Sequence, residues 1–518
     1  MSISKILWVD DEIESLTSQI MFLENKGYEV QTKTNGFDAV EYVKSHIVDV
    51  VLMDESMPGI TGLQTLQQIK EVNSNLPVVL ITKNEAENLM DEAIGSQISE
   101  YLIKPVNPNQ VWLSLKKLID NKRLVAEKTT SAYQQEFRSL FMALSSNPNY
   151  TEWMDIYKKL VFWELEMEKS DSPEMQEVFQ TQKTEANTEF FKFISRNYAS
   201  WIAPKSDDTP IMSHTLLKYK VFPHLEKGTP LFFILIDNLR YDQWKTIQPI
   251  FAESFRIQEE ETFYSILPTA TQYARNAIFS GLLPVDIERM FPVQWKNDDE
   301  EGGKNMFEEE FFKANLKKVG KGDLKYSYTK ITNNHDGQKL VDNMHNFMQN
   351  DINVIVYNFV DMLSHARTEM EVLKELAGDE TSYRSITQSW FEHSPLHQAL
   401  KKIADKKVTV IVGTDHGSVR VKTPAKVIGD KQTTANLRYK HGRNLNYEPR
   451  DVLAFKDPRQ AGLPVPNVNS SFIFGKGDIY LCYPNNYNHF VNYYRNTFQH
   501  GGVSLEEMIV PVVRMTNR

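Results

Sequence analysis

Cysteine is nearly missing from this sequence. Cys482 is the single one in 518 residues, so no intramolecular disulfide can form and no cysteine zinc cluster can be built. Positive charge is in deficit as well: 58 Lys and Arg stand against 68 Asp and Glu, a formal net charge of -10. That balance argues against tight, unassisted binding to a nucleic-acid backbone, while leaving room for a local basic surface. No apolar run approaches the roughly 20 residues a membrane helix needs. The opening MSISKILWVDDE runs straight into a strand pattern with no signal-peptide character, so a cytoplasmic location is the expectation. What is present is ordinary globular composition, 41% hydrophobic and 24% charged. The chain is too long for one core, and two to four domains are expected.

Over residues 1–120, apolar strands alternate with amphipathic segments. KILWVDD, YEVQTKT, VDVVLMD, PVVLIT and EYLIKP read as five strands of a parallel sheet with helices on both faces. Polar residues gather where these strands end. Asp10 and Asp11 close the first, Asp54 the third, Thr82 the fourth, and Lys104 with Pro105 the fifth. In a doubly wound order these ends converge, where a Mg²⁺ ion relieves the repulsion among three carboxylates. A carboxylate beside bound magnesium can then attack an activated phosphoryl group, with Thr82 and Lys104 available to the phosphate oxygens. The segment resembles a response-regulator receiver domain over its whole length. By that resemblance Asp54 takes phosphate from a sensor histidine kinase, and Tyr101 occupies the aromatic switch position that responds with Thr82.

Residues 121–205 favour helices. Leu124–Leu144, a segment after Pro148, and Pro173–Arg196 carry the periodicity, punctuated by Asn-Pro, Ser-Pro and Ala-Pro steps. A small helical bundle linking input to output is expected, with Trp153, Tyr157, Phe162 and Trp163 as core and interface residues.

Residues 206–518 hold several strand ends suited to metal ligation. PLFFILID ends in Asp237, and Arg240 one turn later is a candidate anion contact. VIVYNFVD ends in Asp361 with His365 four residues on, a spacing at which both side chains reach one ion from a helical turn. TVIVGTDHGS ends in Asp415 and His416, an oxygen and a nitrogen donor suited to zinc, with Gly417 to let the backbone turn. His500 precedes a last apolar strand. In YSILPTATQYARN, Thr269 or Thr271 caps a helix, and a threonine hydroxyl at a helix N-terminus is a candidate nucleophile. His393 and His397 also stand four apart, but Pro395 between them spoils the helix. RVKTPAKVIGDKQTTANLRYKHGRNL (420–445) is rich in cations, with Lys440, His441 and Arg443 as candidates for a basic lip.

The order of these pieces resembles the alkaline phosphatase superfamily, in particular its PglZ-type members and threonine-nucleophile phosphodiesterases. Asp237, PTAT (268–271), VDMLSH (360–365), TDHG (414–417) and HGGVSLEEMIVP (500–511) carry the likeness. The resemblance implies two Zn²⁺ ions, one on Asp361, His365 and His500, the other on Asp237, Asp415, His416 and Thr271. Thr271 rather than Thr269 matches the family nucleophile. Diester-cleaving relatives usually place an asparagine three residues after the nucleophile. Here that residue is Ala274, with Arg275 or Asn276 as the substitutes at hand.

The expected architecture is multidomain α/β: a flavodoxin-like receiver (1–120), a helical-bundle linker (121–205) and an alkaline-phosphatase-like α/β sandwich (206–518). This combination resembles response regulators associated with type IX secretion. It implies a zinc-dependent phosphodiesterase acting on nucleotide or oligonucleotide substrates, with dimerisation promoted by phosphorylation. The competing class is a signalling adaptor with structural zinc, whose phosphorylation controls binding to a sigma factor or a secretion component. A DNA-binding transcription factor needs a small basic output, which the large acidic third segment does not offer.

Overall fold

The computed structural model describes residues 4–518 except 74–75, 84–97, 170–172, 204–207, 227, 299, 359, 361–377, 431–432 and 468, and leaves aside the side chains of 120–131 and 173–174. Asp361 and His365 lie outside the described residues. The chain divides into two compact units, residues 1–135 with 169–172, and residues 136–168 with 173–518. Among the described residues, no helix is long and apolar enough to cross a membrane.

The first unit is built on strands β1 (Lys5–Val9), β2 (Glu29–Lys33), β3 (Val50–Asp54), β4 (Val78–Thr82) and β5 (Glu100–Ile103). They lie all parallel in the order β2-β1-β3-β4-β5. That is the flavodoxin-like doubly wound order, which puts its ligand crevice at the carboxyl ends of β1 and β3. The central strands are apolar up to their last residues, Asp54 and Thr82, because both faces are covered: β3 and β4 are buried at every position.

In the second unit, residues 136–168 and 173–202 bring in most of the linker helices, which span Asn121–Ser145, Tyr150–Lys169 and Pro173–Ile202. Trp153 and Tyr157 are buried, as their apolar spacing requires, whereas Phe162 is exposed. From residue 136 on, the linker helices lie in the same compact unit as the output sheet. The core of this unit is a six-stranded sheet. Its strands are β6 (Leu231–Ile236), β7 (Phe255–Tyr264), β8 (Tyr326–Ile331), β9 (Ile352–Tyr357), β10 (Thr409–Gly413) and the C-terminal strand Ile509–Asn517. The order is β7, C-terminal strand, β10, β6, β9, β8. β10, β6, β9 and β8 run parallel, and the C-terminal strand is antiparallel to both β10 and β7. Asp237 and Asp415 follow adjacent parallel strands, so the register that pairs Gly413 with Leu235 also brings the two carboxylates to one edge.

Candidate active site and metal centre

In the receiver, the end of β1 supplies Asp10, β3 supplies Asp54, and Lys104 follows β5. Lys104 Nζ lies 2.8 Å from Asp10 Oδ2 and 2.9 Å from Asp54 Oδ1. Asp10, Asp54 and Thr82 are buried, while Asp11 is exposed; the three acids offer oxygens close enough to share one ion. Burial raises the Asp54 carboxyl above its ordinary range, against the pull of the Lys104 hydrogen bond. Tyr101 is half-buried against the core formed by Leu7, Val51 and Leu80.

In the output unit, the chain leaves β6 through Asn238, whose φ of 62° is the left-handed turn that asparagine tolerates. The Asn238 amide donates to Asp415 Oδ1 (3.3 Å) and the Leu239 amide to Thr414 Oγ1 (3.0 Å), locking the two strand ends together. His416 N donates to Asp415 Oδ1 (3.1 Å). The His416 Nδ1 sits 3.1 Å from the Gly417 carbonyl. With Nδ1–H assigned to that carbonyl, Nε2 is an acceptor, and it faces Thr271 Oγ1 at 3.0 Å. Thr271 Oγ1 is also 3.4 Å from Asp237 Oδ1. Thr271 opens the helix Thr271–Ser280, whose first amides have no partner within the helix. Thr269 is used differently: its hydroxyl donates to the Gly502 carbonyl (3.0 Å) and accepts from Gly501 N (3.0 Å). Its carbonyl meets His500 Nδ1 at 3.1 Å. The His500 ring stacks on His416, centroids 4.3 Å apart. The structure therefore gathers Thr271, Asp237, Asp415, His416 and His500.

Asp237, Asp415 and His416 are buried and offer ligand atoms within 4.8 Å of one another. Asp415 Oδ2 is a buried oxygen without a hydrogen-bond partner. Burial, and then the charge of Asp237, push the Asp415 carboxyl up to about 6. Two carboxylates, an imidazole nitrogen and a hydroxyl form a donor set that fits zinc, and the orphaned oxygen is the acceptor such a cation satisfies.

Arg275 is the counter-charge that sequence reading assigned elsewhere. Its NH1 donates to Asp237 Oδ2 and Asn358 Oδ1, both at 3.1 Å, and its Nε lies 2.7 Å from Glu308 Oε1 and 3.7 Å from Asp415 Oδ2. Glu308 is in turn held by Tyr328 OH (2.6 Å) and Lys330 Nζ (2.9 Å). With three carboxylates around it and 2% exposure, the charge of Arg275 is already engaged by the protein's own acids. Asn276 is likewise committed: its amide donates to the Lys304 carbonyl and its oxygen accepts from Asn305, both at 3.2 Å.

Other expected contacts lie outside the cluster. Arg240 is 1% exposed and pairs with Asp242 and Glu380, so burial between two carboxylates removes it as an anion contact. Lys440 and His441 are not a lip. They sit in the strand Tyr439–Gly442, paired with Ser471–Gly475, and both are buried. Lys440 Nζ lies 4.3 Å from the Tyr483 ring centroid, and His441 stacks on Phe472 with Nε2 3.3 Å from Asp298 Oδ2. Arg443 is half-exposed, 3.8 Å from Asp430. His397 bonds the Glu392 carbonyl and His393 the Ser389 carbonyl, apart from the metal-type residues.

Sequence reading missed Glu308, Asn358, Ser265 and Glu507. Ser265 Oγ donates to the Asp415 carbonyl (2.7 Å). Glu507 is the hub of the loop after His500, binding Arg438, the Gly502 amide and Ser504. Only the EEM that follows His500 in HGGVSLEEMIVP hinted at it.

A phospho-acceptor sheet joined through helices to an α/β unit with a buried acid–imidazole–threonine cluster defines a two-component response regulator with a phosphatase-like output. Family models match in the same order: a response regulator receiver domain over residues 6–116, the PorX response regulator linker domain over 123–202, and the BREX system PglZ alkaline phosphatase-like domain over 216–515. The last spans more than half of the chain, which therefore belongs to the PglZ alkaline phosphatase-like family and carries it in a PorX-like architecture. Receiver domains of this kind are phosphorylated by sensor histidine kinases.

Among curated relatives, the transcriptional regulatory protein ZraR of Klebsiella oxytoca is 33% identical over 132 residues, 26% of this chain and 30% of that protein. The regulatory protein VanRc of Enterococcus gallinarum is 30% identical over 145 residues, 28% of this chain and 62% of that protein. The chain spans about 30% of the length of the first of these relatives. Among solved structures, a response regulator receiver domain protein from Clostridium thermocellum is 28% identical with a TM-score of 0.23, covering 24% of this chain and 98% of that one.

Proposed function

We propose that the output domain is a zinc-dependent phosphodiesterase acting on nucleotide or oligonucleotide substrates, under the control of phosphorylation at Asp54. One observation carries this reading. The Thr271 hydroxyl opens a helix and lies 3.0 Å from His416 Nε2 and 3.4 Å from Asp237 Oδ1, inside a buried cluster of metal-type donors. One ion is assigned to Asp237, Asp415, His416 and Thr271, the second to His500 with Asp361 and His365, and Mg²⁺ to Asp10, Asp11 and Asp54 in the receiver. When bound, zinc lowers the pKa of a coordinated alcohol and offsets charge on the phosphoryl oxygens.

The chain's own residues supply the rest. Thr271 Oγ1 forms a bond to phosphorus while the bond to the leaving alkoxide breaks in line. Water then releases the phosphoryl group as a monoester and restores the hydroxyl. The Thr271 hydroxyl lies at the N-terminus of the Thr271–Ser280 helix, where the helix dipole favours negative charge. Arg275 orients Asp237 and Asp415 but is already matched by acids, so the site suits the single charge of a diester better than the two of a monoester. The match to the PorX linker supports extending the reading to a phosphorylation-promoted homodimer that communicates with a sigma factor and type IX secretion components.

Hydrolysis of bis(p-nitrophenyl) phosphate by the zinc-loaded full chain is the test. Turnover that falls at least a hundredfold in Thr271→Ala supports the reading. A zinc-loaded wild type without turnover, or a Thr271→Ala variant at full rate, overturns it.

A further inference from the structure

A second polar cleft lies away from Thr271, between the linker helix Pro173–Ile202 and the segments at 419–423 and 476–479. It has a volume of about 220 Å³. Lys183 lines it from the helix, and Arg420, Lys422 and Lys476 line it from the facing segments. Lys183 is spoken for, since it pairs with Glu164 at 2.8 Å and with Glu506 at 3.1 Å. The other three cations are not. Among the described residues, Arg420, Lys422 and Lys476 have no carboxylate partner, and Arg420 Nε is a buried donor with no acceptor. Lys476 Nζ lies 5.7 Å from the Phe191 ring centroid.

The acids of the cleft are Glu380, Asp478 and Glu506. Glu380 is matched by Arg240 and Glu506 by Lys183. Three cations without a carboxylate partner therefore face one acid left over, Asp478, and over the whole lining four cations meet three acids, a net charge of one positive unit. A buried guanidinium donor lacking an acceptor calls for an anionic oxygen, which phosphate supplies in the geometry that Arg prefers. A neighbouring lobe of about 320 Å³ shares Gln180, Glu380, Arg420 and Lys422 and adds Phe179 and Thr381, together with Asp379 and with Glu164 and Glu168, which pair with Lys183 and Arg384. It leaves room for the organic part of an ester.

We propose that this cleft binds a phosphate monoester dianion, of the kind a mononucleotide carries, as an effector of the output domain. The position explains why binding there reaches the other site. Arg420 pairs across a two-stranded ladder with Phe498, and Val419 with Gln499. The residues that continue this ladder are Gly417 and Ser418, after His416, and His500. An anion that draws Arg420 toward the linker helix therefore loads the two segments that carry both imidazoles. None of the cleft cations belongs to the Thr271 cluster, so the proposal does not depend on hydrolysis there.

Isothermal titration of the full chain, stripped with chelator so that neither metal site holds an anion, tests it with inorganic phosphate and 5′-AMP as probes. Saturable binding of one equivalent is expected for the wild type and for Thr271→Ala. An affinity loss of at least tenfold is expected in Lys422→Gln/Lys476→Gln, two partly or fully exposed positions whose change leaves the core intact. Tighter binding of 5′-AMP than of inorganic phosphate assigns the second lobe to the organic group, and equal binding assigns the phosphate alone. Absence of saturable binding of either probe at millimolar concentration, or wild-type affinity in the double variant and in Arg420→Gln, overturns the proposal.

Discussion

Arg275 NH1 lies 3.1 Å from Asp237 Oδ2 in a site where neither side chain exceeds 2% exposure. The same guanidinium faces Glu308 and Asp415, so it holds three buried carboxylates in one place. Removing one partner of a buried charge network leaves the others uncompensated, at a cost of about 3–5 kcal/mol. Arg275→Gln in chelated protein is expected to lose stability on that scale by urea unfolding. Added Zn²⁺ is expected to restore a large part of it, because a cation on Asp237 and Asp415 replaces the missing charge. An equal loss with and without zinc would count against a shared metal at these carboxylates.

The receiver offers a cleaner chemical test. Lys104 bridges Asp10 and Asp54, and Asp11 stands exposed beside them. Asp54→Asn is expected to abolish incorporation of label from acetyl [³²P]phosphate. Asp11→Ala, a surface change, is expected to keep the acceptor but raise the Mg²⁺ concentration needed for half-maximal labelling by about tenfold or more, the scale of losing one ligand or its support. Unchanged Mg²⁺ dependence in Asp11→Ala would remove Asp11 from the site.

Gly417 is required by space rather than by a left-handed turn. A Cβ there would stand 2.0 Å from the Glu506 carbonyl oxygen and 3.3 Å from Arg240 Cγ. The first of these is backbone and cannot swing aside, so the 415–417 turn and the 506–508 segment must separate. Gly417→Ala is expected to cost about 3 kcal/mol or more, at the upper end for overpacking of a tight interior. Zinc uptake is expected to fall with it, since His416 precedes the displaced bond. Thermal unfolding and metal content of the purified variant would show both, and a stable variant with full zinc would contradict the account.

Strand ends were legible because buried parallel strands read as β-branched runs and their polar terminators stand out. LFFILID and TVIVGTD pointed to Asp237 and Asp415 for that reason, and the register of β6 against β10 brings the two together. The choice between Thr269 and Thr271 was open to motif resemblance alone. The fold separates them, because two residues on, the chain has entered a helix and turned the hydroxyl to the other side. Counter-charges were not legible. Arg275 and Glu308 are 33 positions apart in unrelated helices, and no periodicity signals that a basic and an acidic side chain will meet behind a metal-type cluster. The cationic run around Lys440 misled for a related reason. A short strand that pairs with Ser471–Gly475 buries what composition marks as surface. The linker was read as helices, but their partner was invisible: Lys183 and Glu164 meet Glu506, more than 300 positions later.

Lys440 makes a prediction about pH. The side chain is 1% exposed, and burial pushes its ammonium down to about 7 from an ordinary 10.5. In the folded chain the amine is therefore neutral above about pH 7, while in the unfolded chain it keeps its proton up to the ordinary value. Between those limits the unfolded state binds more protons, so this group makes folding more favourable as pH rises. The slope approaches about 1.4 kcal/mol per pH unit in the middle of the window and vanishes outside it. Lys440→Met keeps the buried stem and removes the titration. Urea midpoints at a series of pH values from neutral to alkaline should rise more steeply for wild type than for Lys440→Met, and the variant should be the more stable of the two at neutral pH and below. Parallel curves for the two proteins would mean that Lys440 is charged in its pocket or that the pocket opens to water.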